Sequence, residues 1–101
     1  MTEIVYSPEA LEDLYSILYS FTSLYGKTEA KDVLRKNISD IRKLEQNPLL
    51  GKSLQKVLDV TIDYCYLISE RNYIFYYYEF DRIHIVRILN EKKDYIQKIL
   101  G

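Results

Sequence analysis

The chain is poor in the residues that cross-link, punctuate or anchor a fold. Its 101 residues include no tryptophan, one cysteine, one histidine, two prolines and three glycines. A single cysteine excludes an internal disulfide and fits a reducing compartment. His84 and Cys65 supply too few ligands for a metal site by themselves, so we expect neither a metal nor a cofactor.

The chain also has almost no net charge and no long apolar runs. Fourteen basic residues face fifteen acidic ones, which argues against a non-specific nucleic-acid binder with a strongly basic surface. No apolar stretch approaches the ~20 residues of a membrane-spanning helix. The start, Met1–Ile4, lacks the basic and apolar regions of a signal peptide. We therefore expect a cytoplasmic protein that does not contact a membrane and folds as a single domain over residues 1–101.

Tyrosine is the residue that the chain has in excess. It has eleven, and six of them lie between Tyr64 and Tyr78. Tyrosine fits the half-buried surface of a β-sheet, which is one explanation. It also offers a large contact area with a polar tip, which would suit a binding face. The sequence leaves both interpretations open.

The first half of the chain predicts two amphipathic helices. Ser7 and Pro8 are typical of a helix start, and Gly26 is predicted to end that helix as a left-handed C-cap. Thr28 is predicted to cap a second helix that ends before Pro48. The short connection indicates an antiparallel hairpin. Apolar residues recur at helical spacing in both segments: Leu11, Leu14, Leu18, Phe21 and Tyr25, then Ala30, Val33, Leu34, Ile38, Ile41 and Leu44.

The rest of the chain predicts strands, in addition to a short strand at Glu3–Tyr6. Apolar side chains alternate from Val60 to Ile68, with Tyr64 and Tyr66 on the face opposite Cys65. Two more strands are predicted over Tyr73–Phe80 and Ile83–Leu89. Together with the helices, they predict an α+β fold in which the hairpin covers one face of a mostly antiparallel sheet.

Short polar segments separate these predicted strands. One turn is predicted over 69–72, with a positive φ at Asn72, and a second at Asp81–Arg82. Leu49–Lys52 is predicted to be a loop, and Asn90 is predicted to cap a short C-terminal helix. Six residues are predicted to lie in the core: Leu14, Leu18, Val33, Ile41, Phe75 and Ile88.

Three segments of the chain carry a resemblance to a known family. They are Tyr6–Ala10 followed by Leu14, Leu44–Gly51 with its leucine–proline–glycine loop, and Arg87–Leu89 with Asp94–Tyr95 and Ile99–Leu100. In order and spacing they resemble the RelE/ParE toxins of type II toxin–antitoxin systems. The resemblance implies a small twisted sheet with a helix hairpin on one face and a concave opposite face. It also implies a growth-inhibiting toxin that a cognate antitoxin holds inactive. A disordered antitoxin segment is expected to bind in apolar and aromatic grooves between hairpin and sheet, for which the tyrosine-rich strands and the Leu49–Leu50 loop are suitable hosts.

Members of this family act in two ways. RelE-like members cut messenger RNA on the ribosome, whereas ParE-like members inhibit DNA gyrase and lack the catalytic set of the nucleases. For a nuclease, the resemblance implies that Arg87, Tyr95 and Lys93 are the catalytic candidates. Each also has a structural interpretation: an ion pair for Arg87, packing of the terminal helix for Tyr95, and a solvated helix start for Lys93.

Two features favour the ParE-like activity. Cys65 stands where many members of the family carry an arginine, and a thiol cannot hold a phosphate bidentately. The near-neutral charge gives little attraction for RNA. We therefore expect a gyrase inhibitor; a ribosome-dependent nuclease and an inactive, antitoxin-binding co-repressor are the alternatives. The sequence does not decide whether five cations form one patch: Lys52, Lys56, Arg87, Lys92 and Lys93.

Overall fold

A computed structural model describes residues 2–54 and 64–91 of the chain. Two helices and a five-stranded mixed sheet form an α+β fold, as the sequence predicts. The predicted C-terminal helix lies outside the described residues, as do positions 60–63 of a predicted strand. In chain order the elements are β1 Glu3–Tyr6, α1 Pro8–Tyr25, α2 Lys27–Arg42, a 3-10 turn Lys43–Glu45, β2 Lys52–Ser53, β3 Cys65–Ser69, β4 Asn72–Glu79 and β5 Arg82–Asn90.

The strands lie in the order β1-β5-β4-β3-β2. The predicted antiparallel meander is confirmed as β3, β4 and β5, and β1 joins β5 in parallel. One strand is new. Lys52 and Ser53 pair with β3 and form a short outer strand at a position where the sequence predicts the end of a loop.

The helix hairpin begins as predicted. The hydroxyl of Ser7 accepts a hydrogen bond from the Ala10 N–H at 2.9 Å and caps α1. Gly26 ends α1 as predicted and is the whole connection between the two helices. It is not a left-handed cap, because its φ of +92° is combined with a ψ of 165°, outside the left-handed helical region. The prediction that Thr28 caps the second helix is wrong, because α2 already begins at Lys27 and its N-cap is Gly26.

The end of α2 differs from the sequence-based expectation. The α-helix stops at Arg42 and continues as a 3-10 turn, several residues before Pro48. Proline restricts only the residue that precedes it, so it sets a limit for the helix without fixing its last turn. The tighter turn places the fully buried Leu44 in the core beneath the helices.

Both hairpins of the meander have two-residue turns in which both central residues have positive φ. These residues are Glu70 and Arg71 in the first turn, and Phe80 and Asp81 in the second. This is the geometry of type I′ turns, whose twist matches that of the flanking strands. The prediction of a positive φ at Asn72 is therefore wrong, since Asn72 is the buried first residue of β4. The second turn also starts one residue earlier than predicted.

The core lies between the hairpin and one face of the sheet. Ile41 and Ile88 are buried there, as predicted, whereas Leu14, Leu18 and Val33 are only partly buried against it. Phe75 is also buried, but it belongs to a second cluster on the opposite face. The helix-side cluster comprises Ala10, Ile17, Phe21, Ala30, Ile41, Leu44, Ile74, Tyr76, Ile83, Ile85 and Ile88.

A buried polar network, which the sequence analysis did not predict, joins α2 to the meander. The Asn37 amide donates to the Ser69 carbonyl at 2.9 Å, and its oxygen accepts from the Asn72 amide at 2.7 Å. The Ser69 hydroxyl donates in turn to Asp40 at 2.6 Å. Buried polar groups need such partners, so this network fixes α2 relative to the first hairpin of the meander.

Candidate functional site

The sheet face away from the helices is aromatic. Tyr64, Tyr66 and Tyr73 pack around a buried cluster that contains Phe75 and Leu89. The ring centroids of Tyr66 and Phe75 are 6.3 Å apart, and those of Tyr66 and Tyr73 are 6.0 Å apart. The predicted alternation along β3 is confirmed, because Cys65 and Leu67 pack against the helix-side core instead.

One row of residues crosses four strands on this aromatic face. Lys52 pairs with Tyr66, Tyr66 pairs with Phe75, and Phe75 pairs with Arg87. The row therefore has a cation, Lys52 or Arg87, at each end and two aromatic rings between them. Three strand spacings separate the Cα atoms of Lys52 and Arg87 by roughly 14 Å. The other candidates for a basic patch, Lys56, Lys92 and Lys93, lie outside the described residues, and so does Tyr95.

Arg87 is held by a carboxylate from the first helix. Its Nε donates to Oδ2 of Asp13 at 2.8 Å, and its Nη2 donates to Oδ1 at 2.9 Å. The Asp13 side chain is 12% exposed and that of Arg87 is 39% exposed. The structural interpretation of Arg87 as one half of an ion pair therefore has a defined partner, which sequence spacing alone did not identify.

The edge of β5 explains why Asp13 lies at this place. The β1 strand stops pairing with β5 at Ile85, and the Ser7 hydroxyl donates to the next carbonyl, that of Val86, at 2.7 Å. The N–H of Ile88 then donates to Asp13 at 2.9 Å. The start of α1 thus satisfies the strand edge that β1 leaves, and the same carboxylate binds Arg87.

Cys65 does not face the row that ends at Arg87. Its side chain packs on the helix side, opposite Tyr76 in the sheet register. An arginine at this position would therefore point toward the core, so the comparison of Cys65 with a phosphate ligand loses its force in this geometry. On the aromatic face, β3 carries Tyr66 and Ile68, and Tyr64 comes directly before it. None of these three side chains is a cation.

The only histidine of the chain is a strand residue, as predicted. His84 pairs with Tyr77 in the sheet, and the two rings stack with centroids 4.5 Å apart and an interplanar angle of 9°. The ring of Tyr64 is tilted against that of Tyr77, with the two centroids 5.7 Å apart. Across residues 2–54 and 64–91, no three His, Cys, Asp or Glu side chains are placed to share a metal ion.

The loop before β2 is held by a buried tyrosine. The Gly51 N–H donates to the Tyr76 hydroxyl, which donates to the Pro48 carbonyl, both at 2.9 Å. Burial raises the pKa of Tyr76 to about 12, so its hydroxyl keeps the proton that this bond requires. A Cβ at Gly51 would lie 2.5 Å from the Tyr66 carbonyl oxygen and 2.6 Å from the Tyr76 hydroxyl. The loop thus needs its glycine, and it presents Leu49 and Leu50 to solvent.

An apolar stripe runs along the outer surface of α1. Leu11, Tyr15 and Tyr19 follow one another at intervals of four residues and form what we call the α1 stripe; Tyr15 is 72% exposed and Tyr19 is 78% exposed. Helical spacing predicted a buried position for Leu11, but this residue is 46% exposed at the edge of this face. Every charged residue of α1 is acidic. A contiguous exposed apolar surface rimmed by polar residues is typical of a protein-interaction site.

No helix in the described part of the chain is both long and apolar enough to cross a bilayer.

Comparisons with known proteins agree with this architecture. The family model for the ParE toxin of the type II toxin–antitoxin system, parDE, matches residues 4–95. A search of curated proteins gives no match. Among solved structures, the chain is similar to one from the chromosomal ParDE TA system of P. aeruginosa, with 18% sequence identity and a TM-score of 0.74 over 89% of this chain and 96% of that one. At this identity the structural likeness shows the fold alone. Because the family model covers most of the chain, the protein belongs to the ParE toxin family of type II toxin–antitoxin systems.

Proposed function

We propose that this protein is a growth-inhibiting toxin that acts on DNA gyrase in the cytoplasm and is neutralised by a cognate antitoxin. Membership of the ParE family supports the toxin and implies the antitoxin. The choice of gyrase over RNA rests on one observation, the bidentate ion pair between Arg87 and Asp13.

Cleavage of RNA through its 2′-hydroxyl makes chemical demands that these residues meet poorly. A base must take the hydroxyl proton, a cation must stabilise the crowded phosphate, and an acid must protonate the leaving oxygen. Two donors of Arg87 are already directed at Asp13, so a phosphate would have to compete with a carboxylate for them. The aromatic face of β3 adds no cation, since its residues there are Tyr66 and Ile68. Binding to a protein target makes no such demands.

The ribosome-dependent nuclease is the second candidate, and one observation favours it. Lys52 and Arg87 flank the rings of Tyr66 and Phe75 in a single row. Cations next to aromatic rings on which bases can stack are the usual means of holding a single nucleic-acid strand. In this alternative Arg87 would bind the scissile phosphate, with Tyr95 or Lys93 as the second catalytic group.

For the antitoxin, we propose a binding surface outside the hairpin. The space between hairpin and sheet, where the sequence analysis placed an antitoxin groove, is filled by the core of the protein. The α1 stripe and the Leu49–Leu50 loop are two groups of exposed apolar side chains outside that core. A disordered segment that folds on these side chains would offset its ordering cost by burying them. The acidic residues of α1 favour a segment that carries basic side chains next to its apolar ones.

The proposal is tested by inducing the protein without a partner and identifying which process fails first. We expect growth arrest in cells. In vitro, the purified protein should inhibit supercoiling by gyrase and should leave messenger RNA on purified ribosomes intact. Cleaved ribosome-bound messenger RNA with unaffected gyrase would make the nuclease correct. A cell that grows normally while the protein accumulates and binds its antitoxin would indicate the co-repressor instead.

A further inference from the structure

The turn between β4 and β5 carries a residue that the fold itself does not explain. Phe80 occupies the first central position of this type I′ turn with a φ of +52°, and 87% of its surface is exposed. A positive φ is unfavourable for a bulky side chain, and Asn, Asp or Gly usually stands here. Exposure of the apolar ring to water is a second free-energy cost. Because so little of the ring is buried, it contributes little to the packing of the fold.

The other hairpin shows that this turn does not need an aromatic residue. Glu70 occupies the equivalent position between β3 and β4, with a φ of +42°. The two turns thus have the same length and the same class of backbone, and one of them is closed with a polar side chain. The backbone geometry of the second turn therefore does not account for its phenylalanine, which instead determines the surface that the turn presents.

Contacts from two strands hold the Phe80 turn in place. The Glu3 N–H of β1 donates to the Asp81 carbonyl at 3.1 Å, and the Tyr78 hydroxyl of β4 donates to the Asp81 carboxylate at 3.0 Å. Glu3 also pairs with Arg82 at 3.4 Å. Strained turns persist where their surroundings determine them in this way. Phe80 consequently projects from a fixed base, and a partner would lose little free energy in ordering it.

The charges around Phe80 indicate the kind of partner. Three carboxylates, those of Glu3, Glu79 and Asp81, and the guanidinium of Arg82 lie on the turn and on the strand beside it. An acidic surface repels the phosphates of nucleic acid and attracts a basic protein surface. An enzyme that handles DNA carries such basic surfaces, because it must neutralise phosphates.

We propose that the β4–β5 turn is the surface through which this toxin engages its target protein. Phe80 enters an apolar pocket of the target, and Glu79 and Asp81 contact basic side chains at the rim of that pocket. Aromatic residues are enriched at protein interfaces, and a few side chains buried in well-packed pockets supply most of the binding energy. The inference rests on the proposed function, in which the target is gyrase, and it adds the part of the toxin that makes the contact.

The test compares Phe80→Asn with the matched variant Glu70→Asn. Each substitution places asparagine at the first position of a type I′ turn, where it is favoured, so both should keep or raise the melting temperature. Three further quantities are measured for each variant: growth arrest on induction, the concentration that half-inhibits gyrase supercoiling, and the dissociation constant for the antitoxin. We expect Phe80→Asn to abolish growth arrest and to raise the half-inhibitory concentration at least about tenfold, with antitoxin binding changed less than about twofold. Glu70→Asn should behave as the wild type in all three.

The other outcomes separate the inference from the proposed function. If Phe80→Asn inhibits gyrase and arrests growth as well as the wild type, the inference is wrong and the proposed function stands. A loss of antitoxin binding with toxicity kept would assign Phe80 to the antitoxin and overturn the inference. If the wild type arrests growth without affecting gyrase, the proposed target is wrong. Growth arrest then decides the role of the turn: loss of growth arrest in Phe80→Asn supports the inference, and unchanged growth arrest overturns it. A wild type without any toxicity overturns both.

Discussion

The carboxylate of Asp13 binds Arg87 through two hydrogen bonds and accepts a third from the backbone N–H of Ile88. These residues are 74 and 75 positions apart in the chain, so a single carboxylate joins the first helix to the last described strand. The Nε and Nη2 donors of the planar guanidinium form a fork that matches the two oxygens of a carboxylate. Arg87 therefore contributes to the fold before it contacts any target.

Substitutions in this pair separate the two toxic activities. Arg87→Ala and Asp13→Asn should each lower the free energy of unfolding by about 1–2 kcal/mol, because each removes charge-assisted hydrogen bonds of a partly buried ion pair. Under the proposed function, both variants should still arrest growth at a temperature where they are folded. Urea unfolding and growth after induction measure the two effects.

Asp13→Asn is the matched control for Arg87→Ala, because it breaks the ion pair and leaves the guanidinium in place. A nuclease would lose its phosphate ligand in Arg87→Ala, at a cost of about 2.7–4 kcal/mol in transition-state stabilisation, and would keep it in Asp13→Asn. Toxicity that disappears only in a well-folded Arg87→Ala variant would therefore support RNA cleavage with Arg87 as a catalytic residue.

Gly51→Ala should destabilise the protein although it adds a single methyl group. The new Cβ would lie 2.5 Å from the Tyr66 carbonyl oxygen, and both that oxygen and the ring of Tyr76 are parts of the buried sheet. Overpacking of this kind typically costs about 1–3 kcal/mol. Lys52→Ala, an exposed neighbour, should stay within about 0.5 kcal/mol of the wild type in the same urea titration. Equal stability of the two variants would show that the loop can move away from Tyr76.

Asn37→Leu should cost about 2–3 kcal/mol, even though it places an apolar side chain of similar size in the core. It removes the acceptor of the Asn72 amide and the donor to Ser69, and both groups would remain buried. Ser39→Ala, on the exposed side of the same helix, is the control and should change stability by less than about 0.5 kcal/mol. A stable, well-folded Asn37→Leu variant would mean that the network can be replaced by apolar packing.

The stability of the protein should fall in acid partly through Asp40. Burial by itself raises the pKa of this carboxyl, but hydrogen bonds from Lys36, Ser69 and Lys43 outweigh burial and hold the pKa below its usual value. Folding thus favours the charged form. The contribution is complete above the pKa of the unfolded chain, near 4, and is lost as the pH falls through the lower folded value. Thermal melts between about pH 5 and pH 2 should therefore show a flatter dependence for Asp40→Asn than for the wild type; equal slopes would contradict this role.

Truncation of the α1 stripe should weaken the antitoxin complex and leave the toxin folded. Tyr15→Ala with Tyr19→Ala removes two exposed rings, so we expect at least about a tenfold rise in the dissociation constant and little change in melting temperature. Leu24→Ala is the control, because Leu24 is exposed on the same helix but lies about 140° around it from Tyr19 at 100° per residue. If Leu24→Ala weakens the complex and the tyrosine variant does not, the antitoxin uses the other side of α1.

Much of the architecture is local in origin and could be predicted from the sequence. Ser7 and Pro8 start α1 because a hydroxyl and a fixed φ satisfy the first turn of a helix, whatever follows. Gly26 ends it because few other residues adopt its backbone conformation. The alternation along β3 sorted Tyr66 from Cys65 because neighbouring side chains of a strand point to opposite faces. The errors fall at boundaries, such as the turn at Phe80, where the register of two paired strands decides which residues remain for the loop.

The candidate site depended on contacts between distant parts of the chain. No spacing predicted that Asp13 would bind Arg87, that Asn37 would bind Asn72, or that Gly51 would lie against Tyr76. Each of these pairs forms only when the hairpin and the sheet are packed together, since the partners belong to elements that meet in the folded state alone. The sequence by itself determined the elements and the family, because periodicity, caps and motifs act over a few residues. The tertiary structure decided which charges are paired, which loop needs its glycine, and which aromatic residue projects into solvent.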